Sequence, residues 1–484
     1  MKRPTRGKLR QLIKKEPEKV IDFIFELFDK IDALTSQVDK LTVKVKTLEN
    51  KHKKDSHNSN NPPSSDLINK PIKSLRENSG KKPGGQIGHE GHTLEFSKKP
   101  DRIDVLPVEK CEHCGKQFNK KNVPTYKTRQ VIELVIRTET VEYRAEEMTC
   151  NCGKITTAAF PLFAKKKVQY GLSMISFLAY INQRQIIPLD RVTEFIKDTT
   201  GHTISQGTVN NSVVKCYNEL KPFEVQAKIL LLKSAVVGFD ATGIRCLKKN
   251  YWIHVACTSS LTLLYFHAKK SKKAMDEFGI LPEFKGIAVH DFDKTYFQYL
   301  CDHSLCCAHF LRELIFLFEE EEKLWAGEMI ELLIEMNEKV KSAKEKGLEK
   351  LPTRTINRLT VEYQNIIKLA LKKAPLQKER VGERGRIKQT KERNLLDRLS
   401  QKQEETLRFL NDFKVPFDNN GSERSFRMAK AKQKISGCFR NPEYGKMYCR
   451  IRSYIDTVQK NGLPILESLK NALMGRPFIP VDSS

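Results

Sequence analysis

Apolar residues recur from residue 20 to about 51 at Ile24, Leu27, Ile31, Leu34, Val38, Leu41, Val45 and Leu48, with Asp, Lys, Gln and Glu between them. The steps alternate between three and four, which is the a/d seam of a coiled coil and predicts a helix that pairs with a partner strand. An amphipathic helix packed on its own domain is the alternative. Residues 52–93 break every period and are rich in Asn, Ser, Pro, Gly and Lys, as an open basic linker is. Within it His89 and His92 could bind metal, although loop histidines usually do not. Between two later cysteine pairs, VIELVIRTETVEYRAEEMT alternates well enough for two strands.

Residues 170–220 return to a helical period. LSMISFLAYINQRQ carries an apolar stripe, LDRVTEFIKDTTG ends on a glycine stop, and Ser205 is placed to cap a helix running to about Leu220. From 234 the pattern becomes that of strands: SAVVGFDATGIRC, NYWIHVACTSS and LTLLYFHAKK, with connections short enough for antiparallel hairpins. A helical KKAMDEFGIL follows, then a fourth strand in GIAVHD, a short helix in TYFQYL and a fifth strand in SLCCAHF. Three antiparallel strands followed by helix-strand alternation is the order of a ribonuclease H-like α/β core. In that order strands one and four end side by side. Residues 310 to about 413 are nearly all helical, and the run of four glutamates at 319–322 suits a solvated face. A further helix should start near Ser422, after the N-terminal signals Asp418, Asn419, Asn420 and Gly421.

Composition narrows the class. With 484 residues there is chain for roughly three domains. Lys and Arg outnumber Asp and Glu by 86 to 59, a formal charge of +27, which points to a polyanion as partner. No apolar run approaches the roughly 18 residues of a membrane span, and the basic N-terminus lacks a signal-peptide core, so no membrane partner is expected and the expected location is the cytoplasm. Twelve cysteines in such a chain suggest thiols and metal ligands rather than a disulfide framework.

Two constellations carry chemistry. Cys111 and Cys114 form one knuckle and Cys150 and Cys152 another, each followed by glycine, which suits a structural Zn2+ in a small ribbon-like module. Four reduced structural cysteines are the alternative. The second constellation is acidic. Asp240 ends the first strand, Asp291 ends the fourth, and Glu423 opens the late helix. Carboxylates without His or Cys suit hard divalent ions, and two such ions can clamp the entering and leaving oxygens of a phosphoryl transfer. Salt-bridged or helix-capping acids are the alternative for each one singly. Thr242 and His290 neighbour the acids. For DNA contact, Gln206, Thr208, Asn210 and Asn211 stand at the start of the second helix of a possible helix-turn-helix, although an ordinary helical hairpin fits as well. Arg424, Arg427, Lys430 and Lys434 follow Glu423 on the late helix, with Arg424, Arg427 and Lys434 at spacings that share a face. Cys301, Cys306, Cys307 and His309 could make another metal site, although core around a strand is the favoured reading.

Several motifs together resemble the transposases of the insertion-sequence-66 family, of the DDE class: HNSNNPPSSD, KKPGGQIGHEGHT, the two cysteine pairs, IPLDRVTEFI, GHTISQGTVNN, FDATGIR, AVHDFDKTY, HSLCCAHFLREL, DNNGSERSFR and YIDTVQKNG. The order of these segments carries the resemblance along nearly the whole chain. It implies Asp240, Asp291 and Glu423 as catalytic acids holding two Mg2+ or Mn2+ ions, and zinc on the cysteine pairs. It also implies a multidomain α/β protein. The expected divisions are a coiled-coil helix (1–55), linker (56–100), zinc module (101–160), helical DNA-binding segment (165–225), ribonuclease H-like domain (232–436, helical insertion about 310–413) and helical tail (437–484). The implied function is that of a bacterial insertion-sequence transposase. It would bind terminal inverted repeats and target DNA as a homo-oligomer, with accessory element-encoded proteins as possible partners. A catalytically inactive DNA-binding regulator and a nuclease without strand transfer are the alternatives.

Overall fold

The computed structural model describes residues 5–55, 57–59, 94–118, 126–161, 163–377 and 387–480. His89, His92, most of the expected linker and part of the basic stretch before residue 391 lie outside the described residues. The chain gathers into two compact units, Met1–Lys73 with Gly171–Pro188 and Asn210–Ser484, and Ser74–Tyr170 with Leu189–Val209. Among the described residues no helix is long and apolar enough to cross a membrane.

The first unit opens with α1 (Arg6–Lys15) and α2 (Pro17–His52). Pro17 sits at the first helical position, where its missing N–H costs nothing. The seam from Ile24 to Leu48 is bare: its eight apolar side chains are 43 to 61% exposed. Just beyond α2 the Asp55 carboxylate accepts from the His57 and Asn58 amides at 2.9 and 3.1 Å and closes a tight turn.

In the second unit, β1 (Glu147–Thr149) and β2 (Ile155–Thr157) form a small antiparallel hairpin. The expected pair of strands upstream is not formed; residues 126–146 carry no strand. Apolar side chains there stand in solvent, Val131 at 78% and Leu134 at 85% exposed. Alternation makes a strand only where a partner takes its N–H and C=O groups and one face is buried. Gly171 precedes α3 (Leu172–Gln183), which belongs to the first unit, and α4 (Leu189–Thr200) belongs to the second. The helix α5 (Gln206–Glu219) starts as expected, with the Ser205 hydroxyl accepting from the Thr208 amide at 3.1 Å.

After α6 (Lys221–Lys233) comes the sheet on which the first unit is built. Strands β3 (Val236–Cys246), β4 (Lys249–Cys257) and β5 (Thr262–His267) are antiparallel, with α7 (Lys272–Phe278) following; β6 (Ile287–His290) and β7 (Asp302–Leu305) then add in parallel on the other side of β3. The spatial order is β5-β4-β3-β6-β7, so the first and fourth strands of the sheet are neighbours. The β3–β4 turn, Leu247 and Lys248, has φ of 50° and 61°, the left-handed pair a two-residue hairpin requires.

The region expected as a helical insertion contains α8 (Cys307–Glu321), α9 (Leu324–Glu345), α10 (Thr353–Lys373), α11 (Lys391–Gln401) and α12 (Gln403–Asn411). Their buried faces meet in one core with Val289 and Leu305 of the sheet. SLCCAHF is divided: the strand stops at Leu305 and Cys307-Ala308-His309-Phe310 is the first turn of α8. A short apolar run cannot by itself distinguish strand from buried helix. The acidic run at its end is not wholly solvated, since Lys53 and His57 approach Glu320 and Glu319 at 3.3 and 3.5 Å.

Three helices, α13 (Asn420–Ser436), α14 (Pro442–Lys460) and α15 (Ile465–Leu473), complete the chain. Val237 and Phe239 of β3 point into a core shared with Phe223, Leu231, Phe284 and Tyr454. By the two-residue period Gly238 and Asp240 face the other way, toward α13. The contact is close: a Cβ on Gly238 would lie 2.4 Å from Asn419 Oδ1 and 2.7 Å from Ser422 Oγ. Helix α14 covers the β5 edge, where the Thr262 and Leu264 amides donate to Thr457 Oγ1 at 3.1 Å and Ser453 Oγ at 2.8 Å. At the opposite edge Arg408 of α12 donates to the His303 carbonyl at 2.9 Å.

Replacing Gly238 by alanine is expected to destabilise the protein by about 1–3 kcal/mol, as overpacking does, because buried Asn419 and Ser422 cannot swing away. A urea unfolding midpoint equal to wild type would contradict this packing.

Candidate active site

Strand register brings the first two acids together, but Asp240 does not end its strand as the sequence suggested: β3 runs on to Cys246, because the stretch beyond Gly238 stays paired with β4 after its pairing with β6 has stopped. Gly238 of β3 pairs in parallel with Val289 of β6. Asp240 and Asp291 each lie two residues further along, so the same offset sets both at the same level on adjacent strands. Asp291 is just past the end of β6, where its carboxylate accepts from the Asp293 amide at 3.1 Å. Asp293 in turn accepts from Thr295 at 2.9 Å, and the two turns fix the loop that carries Asp291.

Glu423 arrives from far along the chain through a buried anchor. The Asn419 side-chain amide donates to the Phe239 carbonyl at 2.7 Å, and its Oδ1 accepts from the Ser422 hydroxyl at 2.7 Å. Its backbone amide donates to Cys306 Sγ at 3.1 Å, and Ser422 Oγ lies 3.2 Å from Cys257 Sγ. Asn419 and Ser422 are 6% and 0% exposed. They lock the start of α13 against β3 one residue from Asp240, so Glu423, one position after Ser422, comes near enough for its charge to act on Asp240. The glycine at 238 and the Asn–Ser pair at 419 and 422 are therefore complementary halves of one joint.

Electrostatics report the convergence. Burial pushes the Asp240 carboxyl up to about 7, with the Asp291 and Glu423 charges adding to it while the Ala241 amide and Lys270 oppose it. Cations gather round the other acids. Lys270 Nζ lies 2.9 Å from Asp293 and 3.9 Å from Asp291, and Arg312 of α8 reaches Glu423 at 3.3 Å. Burial opposes ionisation of Asp293, yet the Thr295 amide and Lys270 hold its carboxyl below the ordinary range. His309 Nε2 is 3.9 Å from Glu423 Oε1, and burial holds His309 below the usual histidine range although Glu423 works against it. A cavity of about 290 Å³ opens among Lys270, Asp291, Asp293, Cys306, His309 and Arg398.

The donor chemistry fits hard divalent cations. Asp240, Asp291 and Glu423 offer carboxylate oxygens, and Glu423 Oε1 is buried without a hydrogen-bond partner. Asp240, whose carboxyl burial raises to about 7 and the charges of Asp291 and Glu423 raise further, is a group that a cation would relieve. Behind Asp291, His290 is buried and its pKa falls to about 3 through burial; its Nε2 pairs with His303 Nδ1 at 3.0 Å and its ring stacks on Tyr296.

The other sequence candidates are distributed as follows. Gln206 and Asn211 are exposed at the start of α5, and Thr208 and Asn210 are half-buried. Arg424, Arg427, Lys430 and Lys434 are exposed along α13, with Lys430 also donating to the Gly243 carbonyl. Each cysteine pair is closed on itself: hydrogen bonds from Cys114 and His113 lower the Cys111 thiol, and Cys152 lowers Cys150. Among the described residues the two pairs do not meet in one group of ligand atoms; the group that does form is Cys306, His309 and Glu423. Sequence reading missed Lys270, Asp293, Arg312 and the turn of His309 toward Glu423. The signal for the last two was the i, i+3, i+6 spacing Cys306–His309–Arg312, which puts all three on one side of a helix.

Two family models match the chain: one described as the transposase IS66 family over residues 167–447, and one of a family of unknown function over residues 1–95. No curated protein matches.

The raised carboxyl gives a pH signature. Ionising Asp240 is disfavoured in the folded state, so wild type should lose stability relative to Asp240→Asn as pH rises from about 3.8 to about 7, and the difference should then level off. The full swing is up to about 4 kcal/mol. Denaturation of metal-free protein across this range measures it, and a difference independent of pH would contradict the assigned environment.

Proposed function

The chain belongs to the IS66 family of transposases, and on that premise we propose that it is a DDE-type enzyme acting on the terminal inverted repeats of a bacterial insertion sequence. The chemistry is hydrolysis of a phosphodiester to free a 3′-hydroxyl, followed by attack of that hydroxyl on target DNA. The observation that carries the reading is the joint between Gly238, Asn419 and Ser422, which supports a site where the helix-borne Glu423 acts with Asp240 of β3 and Asp291 after β6. The sheet order β5-β4-β3-β6-β7, with β6 and β7 parallel to β3, supports a ribonuclease H-like catalytic core.

Asp240, Asp291 and Glu423 would hold two Mg2+ or Mn2+ ions, which when bound activate the attacking oxygen and stabilise the departing one. The chain's own groups do the rest. Lys270, beside Asp291 and Asp293 and over the Trp252 ring at 5.7 Å, stands where a phosphate oxygen would meet a fixed positive charge. Arg312 of α8 donates to Glu423 Oε2 at 3.3 Å and fixes that carboxylate. Exposed Arg424, Arg427, Lys430 and Lys434 would run beside the DNA backbone, and Gln206, Thr208, Asn210 and Asn211 would meet a groove from the start of α5. Zinc on Cys111, Cys114, Cys150 and Cys152 would require the two knuckles to close on one ion. The bare seam of α2 would pair protomers as a coiled coil and hold two DNA ends together. We assign no accessory protein a docking site.

Asp240→Asn, Asp291→Asn and Glu423→Gln should each abolish magnesium-dependent cleavage of terminal-repeat DNA while leaving salt-sensitive DNA binding intact. Binding without cleavage in wild type would indicate a regulator. Cleavage that never joins pre-cut ends to target would indicate a nuclease. Deleting residues 20–51 should leave the chain monomeric in sedimentation; an unchanged oligomer would remove the seam as the pairing element.

A further inference from the structure

Cys306, His309 and Glu423 present one ligand atom each, and these atoms lie within 4.8 Å of one another. The first two come from a single turn. Cys306 is the N-cap of α8 and His309 lies three residues on, with its amide donating to the Cys306 carbonyl at 3.2 Å. That spacing points both side chains to the same side of the helix start. Glu423 is brought there by the Asn419 joint. Glu423 Oε1 and the His309 ring nitrogen Nδ1 are buried without a hydrogen-bond partner, and His309 Nε2 lies 3.9 Å from Glu423 Oε1. Sulfur, imidazole nitrogen and carboxylate oxygen together are a poor set for magnesium and a good one for zinc.

From this geometry we infer a second metal site, formed by Cys306, His309 and Glu423, that takes Zn2+ and shares Glu423 with the oxygen-only site. The inference rests on the assignment of Glu423 as a catalytic carboxylate. Zinc bound here occupies the Glu423 carboxylate where it already lies against His309 and Arg312 of α8, so that zinc opposes magnesium-dependent cleavage. Ligand atoms around a tetrahedral zinc stand about 3.5 Å apart, within reach of small side-chain rotations from the present separations. The cost is the buried thiol, which burial pushes up to about 12. The metal displaces that proton itself. The Asn419 amide already donates to this sulfur at 3.1 Å, and the α8 N-terminus favours an anion there.

The experiment counts zinc in the full-length protein by titration against a chromophoric chelator, comparing wild type with Cys306→Ser. Zinc held by the two cysteine knuckles is common to both and cancels. The expected result is one zinc fewer per chain in the variant at equal free zinc, and equal zinc content would overturn the site. If Cys306→Ser does not fold, Glu423→Gln removes the third ligand and should lose the same ion. In the magnesium-dependent cleavage assay, zinc should inhibit wild type reversibly. Inhibition of Cys306→Ser should need about a hundredfold more zinc, as loss of a direct ligand exceeds the usual effect of losing an outer-shell partner. Equal inhibition would overturn the shared use of Glu423. Should no cleavage occur in any condition, the catalytic reading fails while the zinc count still decides the site.

Discussion

One buried hydrogen bond, from the Asn419 side chain to the Phe239 carbonyl, holds the start of α13 against the central strand, and the rest of the acidic site depends on it. The bond lies where β3 has no side chain to offer, at Gly238. Ser422 satisfies the other end of the same amide, so the joint leaves Asn419 Oδ1 paired in an interior where an unpaired polar group would cost about 1–3 kcal/mol. A fixed distance between β3 and the start of α13 follows from short side chains rather than from flexible ones.

The joint is also what makes the site electrostatically uneasy. It brings a third carboxylate near two that strand register already sets side by side, and Asp240, raised to about 7 first by burial and then by Asp291, is raised further by Glu423. Lys270, from the loop after β5, and Arg312, from α8, pair with Asp291 and Glu423 respectively. Neither cation is close enough to Asp240 to cancel its burial. The arrangement concentrates negative charge where β6 ends beside the middle of β3, and the end of a parallel strand is the usual position for ligands in an open α/β sheet.

Much of this was legible. An apolar run closing on an acid, repeated at VVGFD and GIAVHD, gave both aspartates, and the short connections gave the antiparallel half of the sheet. Asp418, Asn419, Asn420 and Gly421 were read as signals that start a helix, and the helix starts at Asn420. What local sequence could not reveal was that Asn419 spends its side chain on a strand 180 residues earlier, since a tertiary hydrogen bond leaves no periodic trace. The same limit misread Cys307 to Phe310, whose apolar character suits a helix turn as well as a strand. It also misread residues 131–146, where alternation was present and a partner strand was not.

The treatment of the sheet's two outer strands has a bearing on how copies of this protein can meet. Hydroxyls of Ser453 and Thr457 occupy the amides along one rim, and Arg408 occupies a carbonyl on the other. Growth of the sheet by adding a strand from a second molecule is blocked at those positions, and with it one common route to runaway aggregation in β-containing proteins. Association is thereby steered to side-chain surfaces, where its geometry is finite and its strength can be tuned residue by residue.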